Sequence, residues 1–212
     1  GGNGTLMNVT FWKNSSYEGG GMNNTGNPML TNVTFEGNTA TTIGGGMANS
    51  GMPMLTNVTF SGNYAEENGG GIYNYAGDGI FDGGTLTVRN SAFSGNSATS
   101  YDGGGIYNGG TLTVTNSTFS DNSANEGGGG GIFNYLWAVL TIRNSTFSGN
   151  FAKHGGGIFN HDGTSTVTNS TFSGNSATVS YGGGIYNGGG SLTTLTVTNS
   201  TFSGNVEGAG GP

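Results

Sequence analysis

Apolar and polar positions alternate along this chain in short runs, and the runs return at a nearly constant interval. A phenylalanine in the pattern F-x-x-N recurs at Phe11, Phe35, Phe60, Phe93, Phe119, Phe147, Phe172 and Phe202, with spacings of 24, 25, 33, 26, 28, 25 and 30 residues. Five residues before each lies a branched aliphatic: Leu6, Leu30, Leu55, Val88, Val114, Ile142, Val167 and Val197. Two before it stand Val9, Val33 and Val58, then Ser91, Ser117, Ser145, Ser170 and Ser200; five after it alanine appears at Ala40, Ala65, Ala98, Ala124, Ala152 and Ala177. A second motif, G-G-G-[IM]-x-N, places its apolar residue at Met22, Met47, Ile72, Ile106, Ile132, Ile158 and Ile185. Period-two apolar spacing predicts strands, and no i, i+3, i+4 stripe supports a helix. Self-similarity at a fixed period predicts a solenoid in which each repeat is one coil.

Three asparagine columns punctuate the coil. Before each Phe stand Asn8, Asn32, Asn57, Asn90, Asn116, Asn144, Asn169 and Asn199. After it come Asn14, Asn38, Asn63, Asn96, Asn122, Asn150, Asn175 and Asn205, and the glycine motif adds Asn24, Asn49, Asn74, Asn108, Asn134, Asn160 and Asn187. Asparagine tolerates the left-handed backbone angles that sharp corners need. Stacked in register, its amide can also bond to the asparagine above and below. The expected fold is therefore all-β: a parallel β-helix (β-solenoid), three-sided, with about eight coils of ~24–33 residues. It is expected to be right-handed, as parallel crossovers are. The whole chain, 1–212, reads as a single β-helix domain of eight repeats, with a loop insertion at 75–84 in the fourth coil.

Composition sharpens this. The 47 glycines among 212 residues would suggest low complexity without a period, but here they fall at corners and close approaches. Charged residues are 7% and aromatics 11%, the reverse of a disordered chain. The net charge is −7, and only Lys13, Lys153, Arg89 and Arg143 are basic, which excludes a nucleic-acid footprint. No apolar run reaches 18 residues, so membrane insertion by a helix is not expected. With no cysteine there is no disulfide or thiolate-metal chemistry, and no cofactor is called for.

The paired motifs F-x-x-N and G-G-x-[IL], as in "FSGNSA" and "GGGIYN", resemble the repeats of polymorphic outer membrane proteins, which belong among bacterial autotransporter-type surface proteins. The resemblance covers nearly the whole chain. It implies a displayed β-helical passenger used for adhesion and surface structure, located outside the cell or at its surface.

The candidate chemistry is sparse. β-Helical polysaccharide enzymes need acids converging on one face, with basic partners. Here the acids are scattered through the variable loops, and His154 and His161 flank one glycine motif with no visible acid or nucleophile constellation, so no catalytic residue is assigned. The insertion carries Asp78 and Asp82 in a faint likeness to calcium repeats, but a single copy lacks the tandem ligands. Seven asparagines before Phe read as N-x-[ST], all but Asn90; alternation places that column inward, which favours a ladder over glycan acceptors. Asn3, Asn14 and Asn23 are less constrained sequons. Outward T-x-T pairs at Thr113/Thr115, Thr166/Thr168 and Thr196/Thr198 resemble an ice-binding face, interrupted by Arg89 and Arg143. The residue after the buried Ile forms a column, Tyr73, Tyr107, Phe133, Phe159 and Tyr186, that alternation sends outward as a surface contact stripe. Lateral packing between rods or stacking on surface glycans would both use it.

Both ends read as uncapped: "GGNG" continues a glycine motif and "GAGGP" begins one. Head-to-tail self-association into filaments is the expected partner chemistry. The expected function is an extracellular structural rod, a surface fibre or adhesin stalk without enzymatic activity. The alternative is a polysaccharide-active enzyme or carbohydrate-binding module.

Overall fold

The structure is a computed structural model and describes residues 2–75, 84–179 and 181–208. Each coil is built from short strands separated by corners of two residues or more. In the fourth coil these are Thr85–Arg89, Ala92–Ser94, Ser97–Ala98 and Ile106–Asn108. Every pairing is parallel, coil on coil. Three sheets of eight strands and one of seven run the length of the molecule. The described residues thus make seven full turns and three sides of an eighth.

One expectation needs correction. The coil has four sheets rather than three strands, because the alanine five residues after Phe lies in a strand of its own, only two residues long at Ala40, Ala65, Ala98 and Ala177, as Ala65 pairs with Ala40 and Ala98. So short a strand carries one inward residue, and period-two alternation cannot be read from one position. The insertion 75–84 falls mostly on residues 76–83, outside the described residues, and so do Asp78, Asp82 and the closing 209–212. Its flanks meet: the Gly84 N–H donates to the Tyr75 carbonyl at 2.7 Å.

The core is made of the expected columns. Leu30, Leu55, Val88, Val114, Ile142 and Val167 pack with Phe35 through Phe172, with Met47 through Ile158, and with the alanines, all fully buried. The phenylalanine rings stack continuously from Phe11 to Phe202, centroids 4.6–4.8 Å apart and planes within 5°. Aromatic pairs in isolation prefer offset or edge contacts. Here the coil rise of about 4.8 Å imposes the parallel stack, and burial, at roughly 1.5–3 kcal/mol per ring, supplies its stabilisation.

The glycine motif explains itself at one coil. Gly44 takes φ +67°, a Cβ on Gly45 would lie 2.4 Å from the Gly70 carbonyl oxygen, and one on Gly46 would lie 2.7 Å from Phe60 Cδ1. The three glycines serve, in order, a left-handed turn, backbone on backbone, and backbone on ring.

Candidate functional site

The asparagines after Phe form a saturated ladder. Asn96 is representative. Its backbone N–H and Nδ2 both donate to Asn122 Oδ1, at 3.1 and 2.9 Å, while Nδ2 also donates to the Phe60 carbonyl at 3.0 Å. Its own Oδ1 accepts from Asn63 N and Nδ2. Each side chain in the middle of the column thereby fills two donor and two acceptor positions. The column is buried from Asn38 to Asn175, where an unpaired amide would be costly. The asparagines of the glycine motif repeat the arrangement: Nδ2 of Asn24 donates to Oδ1 of Asn49 at 2.7 Å, and the bonds continue through Asn74, Asn108, Asn134 and Asn160 to Asn187.

The third column departs from expectation. Asn8, Asn32, Asn57, Asn90, Asn116, Asn144, Asn169 and Asn199 are all exposed, not inward. Each has φ between 49° and 56°. A left-handed residue reverses the facing that strict alternation would give, so Asn swings out and the following residue turns in. Its bonds are weaker and run the other way, as in Asn116 Nδ2 to Asn90 Oδ1 at 3.2 Å. Burial therefore gives no ground for preferring a ladder to glycan acceptors there.

A further ladder was missed in the sequence. Ser91, Ser117, Ser145 and Ser170 are buried; each Oγ donates to the carbonyl two residues back and accepts the N–H of the coil before, as Ser91 N does with Ser117 Oγ at 3.2 Å. The signal was the replacement of Val33 and Val58 by serine at a constant offset.

The aromatic column sits outside the fourth sheet, as alternation requires, but it is not an open stripe. Phe133 and Phe159 are buried, 4% and 8% exposed, and Tyr73, Tyr107 and Tyr186 are half-buried. Side chains two residues on cover it from one side: Tyr75 is edge-on to Tyr73 at 5.6 Å, Tyr135 stacks on Phe133 at 5.8 Å, and His161 meets Phe159 edge-on at 5.3 Å. His154 and Tyr181 cover it from the other, 6.2 and 4.9 Å from Tyr186. Tyr73, Tyr107 and Phe133 stack in sequence at 4.7 and 5.3 Å.

Burial raises the phenols. The Tyr73 phenol is pushed up to about 12 by desolvation, with Tyr75 and Glu18 adding to it. Tyr107 is raised further, again chiefly by burial. Asp102, at the edge of this layer, is also raised by burial, although its Oδ1 accepts the Gly128 N–H at 2.7 Å. Nδ1 of His161 is buried without a hydrogen-bond partner, 3.9 Å from Asp162 Oδ2. Asp162 Oδ1 accepts instead from Gly190 N and Thr193 Oγ1. Among the described residues no three His, Cys, Asp or Glu side chains gather as a metal site requires, and no helix is long and apolar enough to cross a membrane.

Comparison with known proteins adds to this picture. Residues 57–75 match the Chlamydia polymorphic membrane protein repeat; they run from the exposed corner Asn57 through Phe60 and Asn63 to the ladder residue Asn74. No curated protein and no solved structure matches the chain. The repeat and the solenoid together suggest a surface-exposed β-helical passenger at the outer membrane or cell surface. The right handed beta helix region matches residues 79–211, more than half of the chain, and with four parallel sheets stacked coil on coil, this protein belongs to that family.

Proposed function

We propose that the chain is a non-catalytic rod, a segment of a fibre or adhesin stalk displayed at the cell surface. The observation that carries this reading is the unbroken ladder from Asn14 to Asn205, every step of which is hydrogen-bonded. A column of identical, saturated corners resists shear along the rod and offers no strained or unpaired group for chemistry. Eight coils at about 4.8 Å give a segment roughly 40 Å long.

The ladder is directional. Asn14 Oδ1 faces one end as an acceptor, and the Asn205 amide faces the other with donors beyond the one it gives to Phe172 O at 2.8 Å. A further coil, from the same chain or a second copy, would continue it at either face. Self-association of rods is part of the proposal on that ground.

Immunogold labelling of intact source cells tests display. Label on unpermeabilised cells supports the reading, and label only after permeabilisation overturns it. Electron microscopy of the isolated chain beside its solution mass tests assembly: filaments with a rise near the eight-coil length support stacking, whereas discrete monomeric rods overturn it for the chain alone.

A further inference from the structure

A trough runs along the outer face of the fourth sheet. From the third coil onward the chain fills it with its own rings, Tyr73, Tyr107, Phe133, Phe159 and Tyr186. At the same register in the first two coils stand Asn23 and Ala48. There the trough is open, a groove of about 380 Å³. Its floor is Asn23 and Ala48; Glu18 and Ile43 line it before the strand, and Thr25, Ser50 and Tyr75 line it after.

From this groove the geometry points to a binding site for a neutral pyranose, the end or a branch of a glycan. Three observations converge on that class. First, the vacated positions continue the stack of Tyr73, Tyr107 and Phe133, whose rings lie 4.7 and 5.3 Å apart. That is room for a ring-shaped guest of similar thickness, and the exposed Tyr75 ring offers an apolar face beside it. Second, three polar groups around the groove are unspent: among the described residues the Glu18 carboxylate, the Asn23 amide and the Thr25 hydroxyl have no hydrogen-bond partner, whereas Asn49 is held in its ladder and Ser50 Oγ reaches the Asn24 carbonyl at 3.5 Å. An acceptor-only carboxylate, an amide and a hydroxyl, set beside the apolar side chains of Ala48 and Ile43, suit a hydroxylated ring with one apolar face. Third, charge selects within the class. Glu18 lies close enough to raise the Tyr73 phenol, no Lys or Arg lines the groove among the described residues, and the chain is acidic overall. Uronates and other anionic sugars are disfavoured by that repulsion.

The inference deepens the reading of a displayed rod by naming what one face of the rod holds. It is tested on the isolated chain, so the absence of sugar binding leaves the surface-labelling result standing, and the reverse is equally true.

Saturation-transfer NMR of the full chain with methyl glucoside, methyl galactoside, N-acetylglucosamine and glucuronate is the experiment. At least one neutral hexoside should show transfer to its ring C–H protons, with glucuronate about tenfold weaker or silent. Ala48→Tyr extends the chain's own stack into the groove and should abolish transfer while keeping the cooperative unfolding of the wild type. If that variant does not fold, Tyr75→Ala and Glu18→Gln serve instead, each expected to weaken binding about tenfold. No transfer from any neutral hexoside overturns the site. So does binding unchanged in these variants, or glucuronate bound as well as the neutral sugars.

Discussion

Asn116 and Asn122 lie six residues apart on one coil, at two corners of the same solenoid, and each is bonded to asparagines of neighbouring coils. Asn122 is fully buried, and its Nδ2 serves both Asn150 Oδ1 and the Phe93 carbonyl. Asn116 is exposed, with φ 50°, and its ladder bonds are single: it gives one of 3.2 Å to Asn90 and accepts one of 3.2 Å from Asn144. One residue type at one period thus has two jobs. At the inner corner it satisfies buried backbone; at the outer corner it holds a backbone angle that side chains with branched or bulky Cβ groups resist.

Several substitutions would break that contrast or sharpen it. The largest effect is expected beside the ladder rather than in it: Phe119→Ala opens a gap in the ring stack and should cost about 3–5 kcal/mol in urea unfolding. Next is Asn122→Ala, which strands the N–H and Nδ2 of Asn96 and should cost about 2–4 kcal/mol. Asn122→Gly should be no milder, because the lost partner is the side chain. At the exposed corner the order reverses. Asn116→Ala should cost only about 1 kcal/mol for its left-handed angle, and Asn116→Gly should be within about 0.5 kcal/mol of wild type. Equal losses for Asn122→Gly and Asn116→Gly would mean that the two corners are not physically different after all.

The smallest effects are electrostatic, and they lie in the outer aromatic layer. The Tyr73 phenol is raised in the folded state, so the stability it contributes is complete below pH 10 and is lost as pH rises through about 12. Tyr73→Phe should flatten that part of the pH–stability curve. Asp102 is raised too, by burial. Its folded state therefore prefers the protonated form, and its ionised form weakens the fold at neutral pH. Asp102→Asn keeps an acceptor for Gly128 and should stabilise slightly at pH 7, the gain fading as pH falls into the carboxyl range. A loss of stability at pH 7 in urea titrations would show that the charge is better compensated by its surroundings than burial implies.

Much of this was legible in the linear pattern. The columns from Leu30 to Val167 and Phe35 to Phe172 are the core, as their period implied. Two asparagine columns are buried ladders in the places expected. Inference faltered where local geometry overrides alternation. Asn32 and its equivalents flip outward because φ is positive, and the two-residue strands at Ala40 and Ala65 are too short to show a period. The aromatic column lies outside the fourth sheet, yet Phe133 is covered because Tyr135 and His161 fold back over it. That contact links the chain's own strand to the coil beyond, and no spacing rule encodes it.

What the sequence determined by itself is the repeat: a coil of fixed register whose apolar, glycine and asparagine positions each meet their own kind 24 to 34 residues later. Identical neighbours make the lowest-energy stack in-register, so period alone specifies the solenoid. What only the tertiary structure decided is which surfaces remain open. Where successive coils carry rings after the Ile column the outer trough is full, and where they carry Asn23 and Ala48 it is empty. Openness depends on volumes summed over adjacent coils and over the residues on either side of the strand, a property of the stack that no single repeat contains.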